Sequence, residues 1–121
     1  DPVIARRGFD FWEFHQGSAL IRYFVYQNSY LFAVSPLVKL PKQNLEALYT
    51  YMLSSTVKPF YLGISDGIVY ISYRIHLSDL GSKQRSEIQE NLVKLAIKAD
   101  ELDNLLIEQY GCDWAEESKK E

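Results

Sequence analysis

Between Leu20 and Tyr26 apolar and polar side chains alternate. Ile21, Tyr23 and Val25 share one face and Leu20, Arg22, Phe24 and Tyr26 the other, the period-two pattern of a strand. Similar runs lie on either side, cut off by His15-Gln16-Gly17-Ser18 and by Gln27-Asn28-Ser29, clusters of residues that favour turns. The segment from Phe9 to Pro36 is therefore predicted to be a three-stranded meander. Large apolar groups stand on both faces of its middle strand.

The period then changes. Leu45, Leu48, Tyr49, Met52 and Leu53 fall at helical spacing and form one apolar stripe, which predicts an amphipathic helix from Pro41 to about Ser54 with Pro41 in its first turn. Lys58 to Ile64 and Ile68 to Leu77 read as the two strands of a hairpin joined at Ser65-Asp66-Gly67, where glycine supplies a positive φ. Pro59 belongs at the start of its strand or at an edge. On the second strand Val69, Ile71, Tyr73, Ile75 and Leu77 point toward the core, and Ile68, Tyr70, Ser72, Arg74 and His76 point the other way.

After Gly81, residues Ile88, Leu92, Leu95, Ala99, Leu102 and Leu106 alternate steps of four and three, a heptad-like seam on a helix from about Ser82 to Tyr110 that Gly111 ends. At ~1.5 Å per residue this helix is about 40 Å long, enough either to lie back on the sheet or to reach another subunit. The tail from Asp113 to Glu121 is highly charged and is expected to fray. The predicted fold is one α+β domain over residues 1–121, with its core at about 9–111. It has two layers: a mostly antiparallel five-stranded sheet, in the order β-β-β-α-β-β-α, with the helices gathered on one face.

Composition narrows the class. A chain of 121 residues suits one core, and its 47% hydrophobic and 24% charged residues are globular rather than disordered. The net charge of −3 lacks the basic excess that drives binding to a phosphate backbone, so no nucleic-acid partner is expected. No apolar run approaches the ~20 residues of a membrane span, and no membrane partner is expected. The single cysteine, Cys112, leaves no internal disulfide and no cysteine zinc cluster, which fits a reducing cytoplasm. The chain opens at Asp1-Pro2 without methionine, and an upstream segment is expected to precede it.

The stretches LEALYTYML, PFYLGISDGIVYISYRIHLSDL and, on the long helix, KLAIKADELDNLLIEQYG together resemble the YbjN family of bacterial sensory-transduction regulators, over roughly Phe9 to Gly111. The resemblance implies a fold like that of the type III secretion chaperones, in which a first helix precedes three strands, a second helix, a two-stranded hairpin and a final helix. That first helix has no visible counterpart in this sequence, consistent with a missing N-terminal segment. The resemblance also implies a dimer that binds or supports other polypeptides without catalysing a reaction, and it carries over no catalytic residues.

Arg74 and His76 share the outer face of their strand with Tyr70. They either bind an anion or an acidic peptide segment, using the planar donor fork of arginine, or are solvated or interface residues of a sheet. Ser78 and Asp79 beside His76 resemble a nucleophile and a base, but the chain turns there, and Ser78, Asp79 and Ser82 are also favoured helix N-caps. His15, near Glu13, could join His76 on a metal, yet no H-E-x-x-H or comparable spacing supports it. Asp100, Glu101, Asp103 and Glu108, interrupted by Lys94 and Lys98, read as a solvated helix face with local ion pairs. Gly63, Gly67 and Gly81 are too scattered for a phosphate loop, and Cys112 has no neighbouring base to make a thiolate nucleophile. No catalytic residue, cofactor or metal is expected.

The aromatic supply carries more. Nine Tyr, six Phe and two Trp include Phe11, Phe24, Tyr26, Tyr30, Phe32 and Tyr70 on strands whose opposite faces are already apolar, and one helix layer covers one face of a sheet. Either the missing helix, a second copy or a client segment covers part of the other face, or the aromatics pack on one another in a curved sheet. Phe24, Tyr26, Phe32, Tyr70, Arg74 and His76 are the candidate partner-binding residues. The expected function is a non-enzymatic, protein-binding, chaperone-like or regulatory module, a cytoplasmic homodimer that engages a protein client or regulatory partner. The alternative is a small enzyme or an anion- or ligand-binding domain using Arg74, His76 and Asp79.

Overall fold

The computed structural model describes residues 6–7, 11–17, 19–79 and 85–115. A two-residue strand β1 (Arg6–Arg7) is followed by β2 (Trp12–Gln16), β3 (Ala19–Tyr26) and β4 (Tyr30–Lys39), then helix α1 (Leu45–Ser54). Strands β5 (Tyr61–Ser65) and β6 (Ile68–His76) form a hairpin, and a 3₁₀ turn at Leu77–Asp79 leads toward helix α2 (Arg85–Tyr110) and a two-residue strand β7 (Asp113–Trp114). The fold is α+β, and every strand pairing is antiparallel.

The sheet runs β1-β2-β3-β4-β6-β5, with β7 added to β4. Among the described residues it has seven strands where the sequence predicted five, because β1 and β7 are too short to leave a period-two trace. The expected fraying of the tail is corrected at its beginning, where Asp113 and Trp114 pair with Lys39 and Val38. Phe9, Gly81, Ser82 and residues 116–121 lie outside the described residues.

Turn chemistry sets the register. Asp66 (φ 53°) and Gly67 (φ 76°) make a two-residue loop with positive φ at both positions, the geometry that matches the twist of a hairpin, and they place Ser65 opposite Ile68. Gln27 and Asn28 also have positive φ, and the Ser29 N–H donates to the Tyr26 carbonyl at 3.0 Å, closing the β3–β4 connection. The meander was expected to end at Pro36, yet β4 continues to Lys39. Its pairing with β3 stops at Val34, and a bulge separates Pro36 from Val38, so the proline sits where the ladder is already interrupted.

Helix α2 lies over β4, with β3, β6 and β2 alongside. Leu95, Ala96, Ala99, Leu102 and Leu106 are buried against Ile21, Ala33, Leu37, Val38 and Ile71. The seam predicted from the sequence thus faces the chain's own sheet. Asn91 Nδ2 adds a hydrogen bond to Tyr73 Oη at 3.2 Å. The acidic face is partly corrected: Lys98 does pair with Glu101 at 3.5 Å, but Asp103 is fully buried rather than solvated.

Helix α1 starts later than predicted. Pro41 lies four positions ahead of it and outside its first turn; Asn44, in the left-handed region at φ 65°, ends the loop, and Leu48 N–H donates to the Asn44 carbonyl at 3.0 Å. The predicted stripe is also rotated. Leu48 is buried and Met52 half-buried, but Leu53 is 87% exposed, and Tyr51 turns inward to meet the Tyr110 ring at 5.5 Å. Gly111 ends α2 with φ 72°, as expected, and brings the buried Cys112 back so that its N–H donates to the Leu106 carbonyl.

Candidate functional site

With α2 on one side of the sheet, the register decides which side chains meet on the other. Phe24 stands opposite Phe32, and Phe32 opposite Arg74; Val34 is opposite Ser72, which is opposite Tyr61; Pro36 is opposite Tyr70, which is opposite Gly63. Cross-strand neighbours on one face are the closest side chains in a sheet. The Phe24 and Phe32 rings stack at 5.6 Å with 3° between their planes, and Tyr26 meets Phe32 edge-on at 5.9 Å. The Arg74 guanidinium lies 5.2 Å from the Phe32 centroid and 4.5 Å from that of Tyr61, held between the two rings.

These residues line an open groove of about 410 Å³ across β3, β4, β6 and β5. Five of the six predicted partner-binding residues belong to it: Phe24, Tyr26, Phe32, Tyr70 and Arg74. The sixth, His76, shares the face but stands at the end of β6, outside the groove lining, with its ring against Tyr30 at 5.0 Å. Tyr61, which completes the arginine sandwich and is 54% exposed, was not among the predicted residues. Its position was recoverable: a two-residue loop at Asp66-Gly67 sets Ser65 opposite Ile68, and counting back along both strands sets Tyr61 opposite Ser72, diagonal to Arg74.

Ser78 behaves differently from the capping expectation, and Ser82 lies outside the described residues. Ser78 lies in the 3₁₀ turn, where its N–H donates to His76 Nδ1 at 3.1 Å and its Oγ stands 2.8 Å from the same nitrogen. A backbone N–H can only donate, so Nδ1 is the acceptor and the hydroxyl donates to it as well. Ser78 therefore ties the end of β6 to the turn, and its hydroxyl is directed at the imidazole rather than at a helix end. Arg74, His76, Ser78 and Asp79 are all exposed.

His15 and His76 are not brought together. His15 pairs with Leu20 in one row and His76 with Tyr30, itself opposite Tyr26, in another; along β3 these rows are six residues apart, roughly 20 Å. They cannot hold one ion. Among the described residues no three His, Cys, Asp or Glu side chains gather as metal ligands, and no helix is long and apolar enough to cross a membrane. At the β2 side of the outer face Arg22 pairs with Glu13 at 3.1 Å and lies over the Phe11 ring at 5.3 Å. Burial pushes the Cys112 thiol above its ordinary range, the opposite of what a thiolate nucleophile needs. Comparison with known proteins finds no matching family model and no matching curated sequence.

Proposed function

We propose that this chain is a non-enzymatic protein-binding module, chaperone-like or regulatory, whose working surface is the aromatic outer face of the sheet. The observation that carries this reading is the open groove in which Phe24 and Phe32 stack and Arg74 lies between Phe32 and Tyr61. Apolar and aromatic area left in contact with water is stabilised when a partner covers it, at about 25 cal/mol per Å² of apolar surface removed. Aromatic and arginine side chains are also those that dominate binding energy at protein interfaces. The resemblance to the YbjN family points the same way and adds the homodimer, a fold of the type III secretion chaperone kind and a cytoplasmic setting to the proposal.

The test is suppression of aggregation. Reduced insulin, whose free B chain aggregates within minutes, serves as the test client and turbidity as the readout, with no nucleotide added. The module is expected to hold turbidity down at near-stoichiometric amounts. The variant carrying Phe24→Ser and Phe32→Ser is expected to lose most of that effect while keeping its circular dichroism spectrum. Light scattering on the same samples is expected to give twice the chain mass. Protection that survives both substitutions would overturn the reading, and a monomer would remove the dimer from it.

A further inference from the structure

Among the described residues that line the outer groove, Arg74 is the only charged side chain. Ion pairs join Arg22 to Glu13, Lys94 to Glu90 and Lys98 to Glu101, and none of these engages Arg74. Its guanidinium carbon lies 5.2 Å from the Phe32 ring centroid and 4.5 Å from that of Tyr61. Its N–H donors lie in a planar fork that suits a polar partner with two acceptors.

We propose that the groove binds an extended peptide segment carrying an aspartate or glutamate between apolar residues, with Arg74 holding the carboxylate through that fork. The inference rests on the protein-binding reading and names the partner's chemistry. Charge complementarity selects the carboxylate: two parallel N–H donors match its two oxygens, whereas an ammonium group is repelled and a neutral amide offers only one acceptor. The two ring contacts restrict the guanidinium before any ligand arrives, which lowers the ordering cost of binding. The rings of Phe24 and Phe32, with Val34, provide apolar floor on the β3–β4 side of Arg74. Tyr61 and Tyr70 also line the groove, and a tyrosine hydroxyl can hydrogen-bond a peptide backbone. Crossing from β3 to β5 takes three interstrand steps of ~4.8 Å, about 14 Å, which about four extended residues span.

Fluorescence anisotropy tests this with two end-blocked, fluorescein-labelled short peptides, one alternating leucine with glutamate and the other leucine with glutamine. The glutamate peptide is expected to bind the full chain about tenfold more tightly, the scale of one charge-assisted pair, with the difference shrinking as salt is raised. Arg74→Gln is expected to abolish the preference and Arg74→Lys to keep part of it. Arg74 is exposed, and both variants are expected to retain the wild-type circular dichroism spectrum. Equal binding of the two peptides would overturn the carboxylate inference and leave the protein-binding reading standing. Binding of neither peptide would overturn it as well, and the insulin assay then decides the broader reading separately. Loss of self-association in Arg74→Gln, with no peptide bound by the wild type, would assign the groove to a second copy instead.

Discussion

Gly17 turns the chain between β2 and β3 at φ 60°, and a Cβ placed there would lie 3.2 Å from the Asp100 carboxylate on α2. Two separate demands meet at this residue, a left-handed backbone and a close approach of the turn to the helix. Gly67 has the first demand without the second, since a Cβ there would meet nothing within 4 Å. Gly67→Ala is expected to cost roughly 1–2 kcal/mol, the ordinary penalty of a left-handed alanine, and Gly17→Ala more, as read by urea denaturation. Equal costs would mean that the Asp100 carboxylate moves aside freely. At Cys112 the sign follows from burial: a thiol held above its usual range carries less thiolate at any given pH. Its alkylation by iodoacetamide near pH 8 is expected to be slower in the folded protein than after addition of urea. The same shift makes Cys112 contribute stability below the thiol's ordinary pKa and lose that contribution as pH rises through its higher folded value. Rapid alkylation of the folded chain would contradict the burial.

Helix α1 is anchored by few side chains, with Leu48 at no exposure and Leu53 at 87%. Leu48→Ala is expected to cost about 2–5 kcal/mol, while Leu53→Ala stays within ~0.5 kcal/mol, and denaturant midpoints separate the two. A Leu53→Ala cost matching that of Leu48→Ala would place the helix the other way round. Much of the sheet was legible because its signals are periodic: the alternation through Ile21 to Val25 and through Val69 to Ile75 requires only that one face be buried. The long seam of α2 was legible for the same reason. What was not legible lacks a period. Pro41 imitates a first-turn proline, but the helix waits for Asn44 to leave the left-handed region, a backbone choice that no side-chain cap announces. The two-residue β7 exists because Gly111 turns the chain back toward β4, a tertiary event. Four groove aromatics and Arg74 were found by asking which side chains share an outer face, and Tyr61 was missed because the strand pairing was not carried across the hairpin.

For the molecule as a whole, the two sides of the sheet do different work. One is filled by α2 and carries the stability; the other holds its aromatics and one arginine in an open groove. Substitutions on the outer side are therefore expected to spare folding and remove binding. Polar substitutions on the solvent side of α2, at Val93 (38% exposed) and Ile97 (47% exposed), are expected to spare both. The most direct measurement places three proteins side by side in the insulin turbidity assay: wild type, the variant with Phe24→Ser, Phe32→Ser and Arg74→Ser, and the variant with Val93→Ser and Ile97→Ser, each first shown to be folded by circular dichroism. The account predicts full protection by wild type and the helix variant and little by the outer-face variant. Undiminished protection by a folded outer-face variant would contradict it.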